Sequence, residues 1–166
     1  ASTGHRLTID PDDLRGEAIA AFLADHLREM RAVSPPESTH ALDLDALRQP
    51  AITFWVARDG DALAGCVALK ALDDGHVEIK SMRVSPDHRR LGVARRLLDH
   101  VLDEAMRRGC RRIILETGAM AFFEPARTLY AQAGFTACAP FGGYHDDPNS
   151  VFMTRELNRD AVSAEA

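Results

Sequence analysis

The spacing of apolar residues changes several times along this chain, and each change marks a new element. Leu7 and Ile9 alternate with polar neighbours over residues 6–10, which predicts a short first strand. Pro11-Asp12-Asp13 supplies helix-start chemistry, and Ala18, Phe22, Leu23, His26, Leu27 and Met30 then recur at helical spacing. A long helix is expected there, ended by Ser34-Pro35-Pro36, with a second short one over residues 42–48 stopped by Pro50. Residues 52–57 read as a strand, Asp59-Gly60-Asp61 as a hairpin turn, residues 63–71 as its partner and Asp73-Asp74-Gly75 as the next turn.

The stretch 77–102 organises the rest. Val77 and Ile79 alternate with charged residues, but the next apolar positions are Met82 and Val84, so the period of two slips by one residue near Lys80-Ser81. Such a slip predicts a β-bulge that splays the strand from its neighbour and leaves backbone groups for a ligand; burial on both faces is the alternative reading. After Ser85-Pro86 and the basic turn Arg89-Arg90-Leu91-Gly92, Val93, Leu97 and Val101, with Leu98 and Leu102, form one helical apolar face. A strand, a Gly-containing basic turn and a helix start make an anion site, because the first helical N–H groups lack intrahelical partners and carry the positive dipole end. A phosphate or pyrophosphate fits there.

Gly109 is a natural C-cap; a strand follows at 112–116 and a helix at 125–133, ended by Gly134. Residues 135–138 and 150–157 read as the last strands, joined by a loop over 140–149, and the tail 161–166 is expected to fray. Strands, one crossover helix and more strands give an α/β (α+β) domain with a mixed sheet. The bulge opens a cleft between the Glu78 strand and the Arg112 strand.

With 166 residues, 46% of them hydrophobic, the chain suits one compact domain, 1–166, with a core of about 7–157. No apolar run reaches membrane-spanning length, and Ala1-Ser2-Thr3-Gly4-His5 lacks a basic region followed by an apolar segment. A soluble, cytoplasmic protein without a membrane partner is expected; a homodimer remains open. Cys66, Cys110 and Cys138 are odd in number, far apart and in apolar or strand-like surroundings, so they are expected to be reduced and buried. The net charge of −5 argues against nucleic-acid binding. Between Arg83 and Arg112, however, nine Arg and four acids make a local +5. A basic island in an acidic chain suits a small polyanion, although Arg107, Arg108, Arg111 and Arg112 read more simply as a solvated helix end.

Arg89-x-x-Gly92-x-Ala94, after a strand ending Met82-Arg83-Val84, resembles the acetyl-CoA signature of the GNAT acyltransferases. Leu129-Tyr130-x-x-x-Gly134-Phe135, after the strand Arg112-Ile113-Ile114-Leu115, matches the family's second motif. The resemblance spans about residues 7–157, and Ser34-Pro35-Pro36-Glu37-Ser38, Glu78 to Arg83 and Phe122 to Arg127 are similar to a bacterial subfamily of generic N-acetyltransferases. It implies a mixed, mostly antiparallel splayed sheet flanked by helices, with acetyl-CoA as cosubstrate. Met82, Arg83, Val84, Arg89, Arg90, Leu91, Gly92, Val93, Ala94 and Arg95 are then expected to bind the cofactor, Arg95 and Arg96 being near enough for its ribose phosphate.

On the same footing Tyr130 is the expected proton donor to the leaving thiolate and also a cofactor contact; its bland alternative is a helix Tyr packed under the sheet. Glu78 is the expected base, with Glu116 its rival, against the alternative of a carboxylate paired with Arg or Lys. The bulge at Ser81-Met82 is expected to donate N–H groups to the thioester carbonyl. Where many relatives carry Asn this chain has Phe123, so a different cofactor contact is expected, with Phe122-Phe123 walling a pocket. His40 and Arg48 face the acceptor side or are ordinary surface residues. His145-Asp146-Asp147 cannot surround a divalent ion from one loop, and no metal is expected. The resulting expectation is an acetyl-CoA-dependent N-acetyltransferase acting by direct attack on a small-molecule amine. Its rivals are a protein or peptide acetyltransferase and a non-catalytic acetyl-CoA sensor.

Overall fold

The computed structural model describes residues 7–33, 44–89, 91–141 and 146–157. Seven strands make one sheet: β1 (Leu7–Pro11), β2 (Ile52–Asp59), β3 (Ala62–Ala71), β4 (His76–Val84), β5 (Arg112–Gly118), β6 (Thr136–Cys138) and β7 (Ser150–Glu156). They lie in the order β1-β2-β3-β4-β5-β7-β6. Every neighbouring pair is antiparallel except β4 and β5. That parallel pair needs a crossover, and the helix α3 (Val93–Arg107) supplies it. The helices α1 (Glu17–Val33), α2 (Leu44–Leu47) and α4 (Glu124–Gln132) complete the mixed, mostly antiparallel α/β fold that the sequence implied.

Alternation along the strands divides the core between the two sheet faces. On one face Val67, Leu69, Val77, Ile79, Ile113 and Leu115 pack against Leu97, Leu98 and Val101 of α3 and Tyr130 of α4. On the other, Phe54, Val56, Cys66 and Ala68 pack against Leu14, Ile19 and Leu47 from the α1 and α2 side.

The start of α1 differs from expectation. Asp12 and Asp13 do not begin the helix; their carboxylates accept the N–H groups of Leu14 (2.9 Å) and Arg15 (3.0 Å) in tight local turns. Short acidic side chains that satisfy nearby backbone compete with helix formation, and here they hold Leu14 at φ 64 with its side chain in the core. The helix begins at Glu17. Of the second expected helix the described part is Leu44–Leu47, and residues 34–43, including the Ser34-Pro35-Pro36 stop and His40, lie outside the described residues.

The phase slip in β4 is a bulge. Cys66 pairs with Arg83 and Ala68 with Lys80, so Val67 alone faces both Ser81 and Met82. Ser81 takes φ 53 to make room for the extra residue. Met82 and Val84 thereby join Val77 and Ile79 on the α3 face. Just there β4 also leaves β5: their pairing runs from His76–Arg112 to Ile79–Leu115, after which β5 continues with β7 from Glu116–Phe152 to Gly118–Ser150.

Candidate active site

The opening between β4 and β5 is bordered on the α3 side by a helix start. Gly92 stands at φ 80, a conformation that costs a side-chain-bearing residue free energy, and it caps α3 without a side-chain hydrogen bond. Among the described residues nothing lies within 4 Å of where a Gly92 Cβ would be. The first N–H groups of α3 lack intrahelical partners and stand at the positive dipole end, with no acid in that turn. This cradle fits a phosphate or diphosphate.

The charged side chains around it are already engaged. Arg89 donates to Glu29 Oε2 at 3.0 Å, Arg95 to Asp99 at 3.0 Å, and Arg96 to the Leu7 carbonyl at 3.3 Å. Leu91 is exposed, Val93 is buried in the core, and Ala94 is half-buried. Arg90 lies outside the described residues.

Arg83 turns to the opposite face from Met82 and Val84. It is buried against α1, where Nη1 donates to Glu29 Oε1 at 2.8 Å, meets His26 Nδ1 at 3.2 Å, and the guanidinium lies 5.1 Å from the Phe22 ring centroid. What Arg83 can offer the cleft is therefore its backbone, as with Met82 and Val84. Burial, and then the Arg83 charge, push the His26 imidazole down to about 4. Desolvation would raise the Glu29 carboxyl, but hydrogen bonds and charge from Arg89 and Arg83 outweigh it and hold it below the ordinary range.

Tyr130 is buried on α4, its ring 5.7 Å from that of Phe135, and burial alone pushes its phenol well above the ordinary range. The hydroxyl therefore keeps its proton at any working pH. Phe123 fits the end of β5 closely: a Cβ on Gly118 would come within 2.0 Å of its ring. Arg127 fastens that junction by donating to the carbonyls of Gly118 (2.6 Å) and Met120 (2.9 Å). Phe122 is exposed beside it.

On the far face of the sheet the two carboxylates share one side. Glu78 is paired with Ile114, and Glu116 follows two residues along β5, so both project on the side opposite Ile113 and Leu115. Glu78 is 4% exposed and its Oε2 meets Lys80 Nζ at 3.2 Å. Glu116 is half-buried and accepts the Ser150 hydroxyl at 2.7 Å.

The same face carries a cavity of about 670 Å³ lined by His76, Arg112, Ile114, Phe141 and Glu156 among others. Arg48, read as a surface or acceptor-side residue, is exposed and holds the Leu14 carbonyl at 2.6 Å. Tyr144 and His145 lie outside the described residues.

Lys80, Ser150, Glu29, His26 and Gly118 were not anticipated. Lys80 had a signal, being two residues from Glu78 on one strand and so on the same face. Ser150, Glu29 and His26 depend on pairings between distant segments, and Gly118 on a turn that brings Phe123 back over the end of β5.

A family model for the Acetyltransferase (GNAT) family matches residues 19–135. Among curated proteins, the uncharacterised N-acetyltransferase YsnE of Bacillus subtilis is 57% identical over 88% of this chain and 97% of its own length. The uncharacterised N-acetyltransferase YedL of Escherichia coli is 47% identical over 90% and 94%. Among solved structures, a Bacillus subtilis acetyltransferase in complex with CoA superposes with a TM-score of 0.64 over 92% of this chain and 99% of its own, at 19% identity, a likeness of fold alone.

Proposed function

The chain belongs to the GNAT acetyltransferase family, and on that premise we propose that it transfers an acetyl group from acetyl-CoA to the amine of a small soluble acceptor by direct attack. The observation that carries this reading is the parting of β4 and β5 beyond Ile79–Leu115, with an open helix start on one side and two carboxylates on the other face. In this reading the backbone of Met82, Arg83 and Val84 would hold the pantetheine arm. The turn Arg89, Arg90, Leu91, Gly92 and the first residues of α3, Val93, Ala94 and Arg95, would hold the diphosphate, and Phe123 would border the arm. Acetyl-CoA, when bound, supplies an activated acyl carbon and a thiolate leaving group.

The chain's own residues then do three things. The bulge at Ser81-Met82 offers backbone N–H groups to a carbonyl oxygen that gains negative charge, a preorganised stabilisation. A carboxylate accepts the proton of the incoming ammonium, and Glu116 suits this better than Glu78. The hydroxyl of Ser150 can swing as a proton arrives, whereas Glu78 already carries the Lys80 ammonium. Tyr130 Oη holds a proton for the departing sulfur, since burial keeps the phenol neutral. A protein cytoplasmic in location, possessing no membrane partner, would meet such acceptors freely.

A thiol-release assay with acetyl-CoA across amino acids, polyamines, aminoglycosides and short peptides tests the reading. Turnover confined to peptides would assign a protein acceptor instead. Tight cofactor binding with no turnover on the whole panel would assign a sensor.

A further inference from the structure

The cavity and the two carboxylates share one face of the sheet, where Ile114 lines the cavity and lies beside Glu78 and two residues from Glu116. Arg112, Ile114 and Glu116 alternate on one face of β5, and the register sets them in rows. Arg112 lies between His76 and Glu156, Ile114 between Glu78 and Thr154, and Glu116 beside Phe152. Phe152 in turn meets Phe141 edge-on at a centroid distance of 5.6 Å, and Phe141 lines the cavity. One strip of sheet therefore runs from a guanidinium, over an apolar floor at Ile114, to a carboxylate.

Arg112 is suited to receive an anion. Nη1 donates to Thr154 Oγ1 at 3.3 Å and Nη2 to Glu156 at 3.0 Å, which leaves further N–H donors in the fork. The Glu156 side chain is 78% exposed, so this ion pair is a weak surface one that a better-placed anion can share or displace. Cys138 and Leu157 make part of the remaining wall apolar. A planar fork beside apolar walls matches a carboxylate on a hydrocarbon body.

We propose that this cavity receives the carboxylate of the acceptor, so that the preferred substrates are amines bearing a carboxylate across an apolar spacer. The proposal rests on the acetyl-transfer reading above for its amine end. The four steps along β5 from Arg112 to Glu116 span ~13 Å; Arg112 leans into that distance towards Thr154, whereas Glu116 turns to Ser150 at the far end, so a spacer of about five carbons or more is needed.

The test compares kcat/KM for 6-aminohexanoate and its methyl ester. The free acid is expected to be preferred on the order of tenfold or more, the worth of a charge-assisted hydrogen bond. Arg112→Gln should bring that ratio close to one, with Arg112→Lys retaining part of it. Ala139→Phe, at an exposed lining position, should raise KM for the acid by filling the cavity. Equal turnover of acid and ester by the wild type, or a ratio that Arg112→Gln leaves intact, overturns the proposal. If no amine is acetylated, the acetyl-transfer reading fails separately, and calorimetry with hexanoate decides: binding lost in Arg112→Gln supports the cavity as a carboxylate site, and no binding to the wild type overturns it.

Discussion

Ile79 and Leu115 form the last pair that joins β4 to β5. Beyond them β5 remains with β7, and β4 bulges at Ser81 while keeping its pairing with β3. The sheet opens at its one parallel seam because the bulge shifts β4 out of step just where the pairing ends. Hydrogen-bonding groups at such a point are available to a ligand without breaking the rest of the sheet.

Replacing Gly92 with Val is expected to raise the dissociation constant for CoA at least tenfold. A Cβ there meets nothing within 4 Å among the described residues, so the effect comes from φ 80 and from bulk laid over the N–H groups of the first turn of α3. Strain should lower stability by only about 1–2 kcal/mol. Calorimetry on folded protein checks this, and unchanged affinity would remove the helix start from the cofactor site.

Tyr130→Phe is expected to lower kcat by ~10²–10⁴-fold while CoA affinity changes little, because a proton donor matters chiefly as the bond to sulfur breaks. Since burial keeps the phenol protonated, the wild-type rate should show no loss that reports Tyr130 ionisation below about pH 10. Near-normal kcat with a lowered melting temperature would make Tyr130 a packing residue.

Glu116→Gln should depress kcat/KM most on the acidic limb of the pH profile, where the acceptor amine is an ammonium, by ~10²-fold. Glu78→Gln should cost less turnover and more stability, because it leaves the ammonium of Lys80, whose side chain is 12% exposed, without its carboxylate. The reverse ranking would make Glu78 the proton acceptor.

Stability is expected to fall on acidification. The His26 imidazole sits at about 4 in the fold against 6.5 for the free side chain, so between these values the unfolded chain binds more protons. The stability is complete above about pH 6.5 and is lost as pH drops through the window, by up to ~2 kcal/mol at pH 5. Glu29, held low, adds a loss in the same direction at lower pH. Urea midpoints measured at pH 7 and pH 5 should differ for the wild type and converge for His26→Gln; equal sensitivity in both would place the acid response elsewhere.

Local signals in the sequence reached far into this structure. The phase slip at Lys80-Ser81 located the bulge, because a side-chain period of two cannot absorb an extra residue unseen. Gly92 followed from the strand, basic turn and helix start around it. What escaped was set by distant contacts. Arg83 lies within a binding-type motif yet spends its charge on Glu29, 54 residues away. Asp12 and Asp13 carry helix-start chemistry but close local turns instead. The cavity draws its walls from β4, β5, β6 and β7 together, and no short window holds that pattern.

The contact of Arg89 with Glu29 bears on discrimination between phosphates. In the free protein this cation is not bare, since a carboxylate from α1 already occupies it. A lone phosphate arriving at Arg89 would exchange one anion for another and gain little. A diphosphate that also spans the N–H groups beyond Gly92 would gain donors that Glu29 does not touch. In the proposed cofactor site Glu29 would therefore compete more effectively with a lone phosphate than with a longer polyanion.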